Sequence, residues 1–135
     1  MTTTTEGMHD MSDPHQLVSS AYEAFARGDI PAVLDTLDPA VAWRVPDVLP
    51  HGGAFDGVDG VGTFFSGLGD HWADLDVRPD SPIANGERVA VTGIASGHLR
   101  ATGESASYGF AHVWTFRDGR ATAFDEYVDP AGLGG

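Results

Sequence analysis

No cysteine occurs in the 135 residues, which removes disulfides, thiolate metal sites and cysteine nucleophiles together and suits a reducing cytoplasm. Basic residues are scarce too. Seven Lys plus Arg stand against twenty Asp plus Glu, a formal net charge of −13, so neither nucleic acid nor an anionic membrane is an expected partner. A solvated acidic exterior explains that imbalance without invoking chemistry. No apolar run approaches the roughly 20 residues of a membrane span, and the opening MTTTTEGMHDMSD lacks the apolar stretch of a secretory signal. The expected location is therefore cytoplasmic. The six histidines form no His-x-His or His-x-x-x-His pair, the spacings that put two metal ligands on one strand or helix face. HGGAFDG (51–57) is no phosphate-binding GxGxxG, and no GxSxG motif of a serine hydrolase occurs. The expected chemistry uses neither metal nor cofactor.

The length suits a single domain able to bury its own core. Residues 1–11 are polar and aperiodic and read as a disordered tail, 12–129 as one domain, and 130–135 as a loose end. Ser12 or Asp13 can cap a first helix with Pro14 in its tolerated first turn, and Leu17, Val18, Ala21 and Phe25 recur at helical spacing up to Gly28. Asp29 caps a second helix through Val33, Leu34 and Leu37, stopped before Pro39. Val41 to Val45 alternates as a strand, and Pro46 to Gly57 reads as a loop that carries apolar residues and His51.

A third helix is expected from about Val58 to Asp70. Its glycines each cost about 1 kcal/mol relative to Ala, so packing must hold it. Trp72 to Ile83 and Arg88 to Arg100 flank Asn85-Gly86 as a hairpin, with Gly93 and Gly97 as candidate bulges or bends. Helices followed by a long meander predict an α+β domain, with the helices laid on one face of a strongly bent sheet that leaves a conical cavity.

The stretch from Tyr108 to Val128 carries the chemistry. Tyr108, Phe110, His112, Trp114 and Phe116 alternate with smaller or polar residues, so four aromatics share one strand face with a histidine. Asp118-Gly119 then turns the chain. A two-residue turn there places Asp125 opposite His112. A three-residue loop with Gly119 as a bulge residue instead brings Phe124 and Glu126 to the aromatic face, which buries more apolar surface and is favoured. His112 with Glu126, or with Asp125, is the candidate base and acid, since burial and mutual attraction leave such a pair able to exchange protons near neutrality. The same pair would also serve as a core histidine held by a neighbouring acid. Tyr22 and Tyr108 are candidate phenolic donors to substrate oxygen, and Trp43, His51, Phe64, Phe110 and Trp114 are candidate pocket walls.

Three segments carry a resemblance: AYEAFARGDIPAVLDTLDPAVAW (Ala21 to Trp43), LPHGGAFDGVDGVGTFF (Leu49 to Phe65) and FAHVWTFRDGRATAFDEYVD (Phe110 to Asp129). In this order and spacing they resemble the SnoaL-like polyketide cyclase group of the ketosteroid-isomerase-like superfamily. The resemblance implies a cone-shaped barrel, a strongly curved mixed or antiparallel sheet wrapped around N-terminal helices. It also implies a homodimer through the outer sheet face and cofactor-free acid–base chemistry on a small apolar metabolite. Members include isomerases, cyclases and epoxide hydrolases. In the cyclases a His on the penultimate strand and an acid on the last act in the pocket, positions matched by His112 and by Glu126 or Asp125. The residue sets of ketosteroid isomerases and of limonene-epoxide-type hydrolases have no full match here.

Overall fold

The computed structural model describes residues 13–129; the tails expected at 1–11 and 130–135 lie outside the described residues. Helix α1 (Pro14–Ala26) starts at Asp13, whose carboxylate accepts from the His15 amide at 3.1 Å, and Gly28 ends it with a φ of 77°. Helix α2 (Ile30–Leu34) is capped by Asp29. It is shorter than its apolar spacing implies, because Leu37 opens strand β1 (Leu37–Val45) and pairs there with Ala121. Pro39 sits inside this strand, where the ladder is interrupted between Leu37 and Ala42 and no proline amide is needed. The segment read as a loop contains a short strand, β2 (Gly53–Asp56), paired antiparallel with β1. Helix α3 (Gly57–His71) follows as expected, burying Val61 and Phe64.

The strand expected over Trp72 to Ile83 is two strands, β3 (Trp72–Pro79) and β4 (Ile83–Asn85), divided at Pro79 and Pro82, neither of which can donate to a ladder. Strands β5 (Arg88–Leu99), β6 (Ser105–Arg117) and β7 (Arg120–Asp129) complete a sheet of order β2-β1-β7-β6-β5-β3, with β4 also on β5. β1 runs parallel to β7 and the other pairs are antiparallel, so the sheet is mixed. Its edge strands β2 and β3 do not pair with each other, so the cone is open rather than a closed barrel. Helix α3 touches β1 and β2 at one edge and β3 at the other, which requires the sheet to curl around it.

Gly93 and Gly97 are not bulges: the β5–β6 ladder passes both without a shift. They are close-approach sites. A Cβ on Gly97 would collide with the Asp74 carbonyl of β3, and one on Gly93 with the Arg78 carbonyl and the Phe110 ring. The bend at the β3 edge needs these two absent side chains.

The last hairpin combines features of both expected geometries. Asp118 and Gly119 have φ of 52° and 79°, a two-residue turn with Arg117 opposite Arg120 and Phe116 opposite Ala121. The register then shifts: Thr115 faces Ala123, and Thr122 is the extra residue of a bulge, its hydroxyl donating to the Thr115 carbonyl at 3.2 Å. From there on Trp114 faces Phe124 and His112 faces Glu126. The favoured acid thus reaches the aromatic face, but by a bulge three residues past the turn rather than by a three-residue loop.

Candidate active site

The inner face of β6 presents Tyr108, Phe110, His112, Trp114 and Phe116, all buried. Glu126 stands beside His112 on β7, and the two side chains meet at 3.0 Å, Nε2 to Oε2, with the residues 8% and 9% exposed. Helix α1 completes the arrangement from above. The Tyr22 hydroxyl lies 2.5 Å from His112 Nδ1 and accepts a hydrogen bond from the Trp114 indole N–H at 3.1 Å. Indole can only donate. When His112 is neutral, the bonds therefore run Trp114 to Tyr22, Tyr22 to His112 Nδ1, and His112 Nε2–H to Glu126. Both imidazole nitrogens are engaged, and Glu126 Oε1 is the one atom of this chain of bonds without a hydrogen-bond partner among the described residues.

These groups line a narrow cavity of about 70 Å³ between the sheet and helices α1 and α3. Its walls are apolar, and Phe25, Phe65, Leu68, Leu75 and Val77, all half-buried, form the outer part. The volume is well below the roughly 300–1,000 Å³ of a drug-sized site. Side chains fill most of the cone, so a ring-sized guest must displace some of these outer residues. Trp43 and Phe124 face each other across the parallel β1–β7 pair, their rings stacked at 3.9 Å, and Trp43 meets Trp114 edge-on at 5.6 Å.

Tyr22, Trp43, His51, Phe64, Tyr108, His112, Trp114 and Glu126 all line this cavity. Two candidates do not. Asp125 is half-buried on the opposite face of β7, across from Val113, because the Thr122 bulge gave the inner position to its neighbour. Phe110 stacks on His112 at 4.1 Å and supports the imidazole from the side instead of facing the space. His51, a candidate wall residue carried by the segment read as a loop, is buried and held by a hydrogen bond from the Trp72 indole to Nδ1 at 3.0 Å. Leu75 and Val77 also line the cavity, and their alternation along β3 is the sequence signal for it. Phe124 was placed on the aromatic face without being named as pocket wall.

Burial sets the ionisation of the polar groups. It pushes both phenols, Tyr22 and Tyr108, above the ordinary tyrosine range. The Trp114 hydrogen bond opposes that at Tyr22, and the Glu126 charge adds to it at both. Burial also lowers the His51 imidazole to about 4; the Glu126 carboxylate opposes this shift and His71 on α3 adds to it. The field of Glu126 thus reaches three polar groups of the cavity, all neutral at pH 7. His71 and His98 are exposed, His98 beside Asp74 at 3.1 Å. Among the described residues no helix is long and apolar enough to cross a membrane.

The architecture is thus a curled α+β sheet with a buried imidazole–carboxylate couple at the wall of an apolar cavity. The family model of the SnoaL-like domain matches residues 18–124, and the chain belongs to that family. An NTF2-like protein of unknown function from Burkholderia pseudomallei is 38% identical, with 90% of this chain and 95% of that one covered at a TM-score of 0.81. An NTF2-like protein from Burkholderia thailandensis is 29% identical over 90% and 94%, at a TM-score of 0.84. TerC, co-crystallised with polyporic acid, is 28% identical over 90% and 96%, at a TM-score of 0.79. No curated protein matches the chain.

Proposed function

We propose that the protein is a cofactor-independent acid–base enzyme for a small apolar metabolite bearing a carbonyl or epoxide, acting as a cyclase, isomerase or hydrolase. The observation that carries this reading is the buried Glu126–His112 couple at 3.0 Å on the wall of an otherwise apolar cavity. A carboxylate in such a place meets substrate protons without competition from bulk water. With both ring nitrogens of His112 engaged, Glu126 is the base at the substrate and His112 holds it and shares its proton. Tyr22 and Trp114 anchor His112 from behind. The apolar mouth at Phe25, Phe65 and Leu68 selects a ligand with little charge. Membership of the SnoaL-like family supports the class of chemistry.

The test is proton–deuterium exchange at carbons next to the carbonyl in a panel of aryl and cyclic ketones, followed by NMR in D2O, beside hydrolysis of a matching epoxide panel. Glu126→Gln and His112→Ala are each expected to lower turnover by at least about 10²-fold, with the cooperative melt retained. Full activity in both variants sinks the assignment. A rival reading, a pocket that binds a small ligand without turning it over, draws on the small cavity volume. A panel bound but unchanged by wild-type protein would favour it.

A second copy of the chain is the proposed partner, seated on the outer sheet face. There Ile94 and Tyr127 are 58% and 61% exposed around the small residues Gly109 and Ala111 of β6. Such a patch admits close approach of another sheet. Sedimentation should show a dimer that Ile94→Glu dissociates; a wild-type monomer at high concentration rejects the interface.

A further inference from the structure

His51 sits between β1 and β2 in two successive turns closed by the Leu49 amide on the Pro46 carbonyl at 3.1 Å and the Gly52 amide on the Leu49 carbonyl at 3.0 Å. Its ring is 6% exposed and packs edge-on to Phe64 at 5.8 Å and to Trp72 at 6.2 Å. The Trp72 indole donates to Nδ1 at 3.0 Å. Because indole has no acceptor, Nδ1 must hold a lone pair, and the single ring proton is placed on Nε2. Nε2 has no hydrogen-bond partner among the described residues, yet it is not sealed in protein, and the residue lines the cavity. The Tyr108 hydroxyl, on a residue 4% exposed, is in the same situation. The other groups bearing on His51 are Glu126 from β7 and the exposed His71 from α3.

We infer that His51, its tautomer set by Trp72, is a fixed Nε2–H donor to the oxygen of the bound molecule, with Tyr108 as second donor and Glu126 as the base in the same cavity. This rests on the proposed carbonyl chemistry and orients it. The carbonyl oxygen lies at His51 and the neighbouring C–H at Glu126. Glu126 takes the proton as the C–H bond breaks. The electron pair forms the C–C double bond of an enolate whose oxygen the Nε2–H stabilises. Return of the proton from Glu126, to the same or another carbon, restores the carboxylate, so no oxidant or co-reactant is needed. A neutral imidazole makes this hydrogen bond without surrendering its proton. Trp72 is then a positioning residue that never touches substrate.

Two measurements decide it. Long-range nitrogen–proton spectra of the 15N-histidine-labelled protein should show His51 protonated at Nε2 and bare at Nδ1 at pH 7, with the two tautomers mixing in Trp72→Phe. A wild-type His51 protonated at Nδ1 overturns the proposal, whatever becomes of the variants. Infrared spectra of bound acetophenone should show its carbonyl stretch lowered by wild type and by His51→Gln, whose amide N–H replaces the donor. His51→Leu should move the band part of the way back toward its position in hydrocarbon, the Tyr108 bond remaining, and weaken binding about 5- to 10-fold. A band unmoved by His51→Leu rejects this role for His51 alone. Absence of saturable acetophenone binding to wild type rejects the carbonyl-site reading beneath it, and this inference with it.

Discussion

Acidification should unfold this protein partly through His51, and the size of that contribution follows from its surroundings. In the folded chain the imidazole is neutral and stays so down to about pH 4, because burial outweighs the attraction of Glu126. In the unfolded chain it takes up a proton near pH 6.5. Between those values the unfolded state binds more protons than the folded one, so stability rises with pH across the window and is lost as pH falls through it. The contribution is complete above the unfolded value and flat below about 4. At 1.36 kcal/mol per unit, the loss reaches about 3 kcal/mol, or roughly 10 °C in Tm for a domain of this size. The experiment is a set of calorimetric melts of wild type and His51→Gln from pH 7.5 to pH 4. Wild type should be the more stable at pH 7, where the Trp72 bond is worth about 1 kcal/mol, and should lose that lead as pH drops. Parallel Tm curves over the whole range would refute the premise that His51 is buried and uncharged.

Other substitutions probe different layers. Tyr22→Phe leaves the Trp114 N–H and His112 Nδ1 unpaired; chemical denaturation should show a loss of about 2 kcal/mol or more, and an unchanged midpoint would mean that the chain of bonds does not form. Gly62, Gly67 and Gly69 of α3 have nothing within 4 Å of an added Cβ. Each change to Ala should therefore add about 0.5–1 kcal/mol, read as a rising denaturation midpoint at constant slope. Gly97→Ala, by contrast, drives a Cβ into the Asp74 carbonyl and should cost more than about 1 kcal/mol, with faster amide exchange along β3; wild-type exchange rates there would show that this edge is looser than described.

Local chemistry made much of this fold readable. Asp13, Asp29 and the prolines after them announce two helix starts, and alternation from Tyr108 to Phe116 defines the strand that carries the site. The errors arose where distant partners decide. Leu37 fits the helical spacing before it, but Ala121 draws it into a strand. The segment holding His51 reads as a loop with apolar content and puts that histidine among the candidate pocket walls, but only Trp72, twenty-one positions away, shows what holds its imidazole in the interior. Thr122 gives no warning either. Bulge residues lack the composition that marks turns, so a choice between two loop lengths could reach the right acid only by the wrong route.

That single unpaired threonine has a consequence for how such a centre changes. The two neighbouring acids on β7 differ by one methylene, and which of them looks inward depends on how many residues separate it from the turn. Losing or gaining one residue in the distal hairpin would swap a longer reach for a shorter one and rotate Phe124 out of its stack with Trp43, although no residue of the cavity had been replaced. Relatives compared column by column would then appear to share an acid that points, in one of them, to the other side of the sheet.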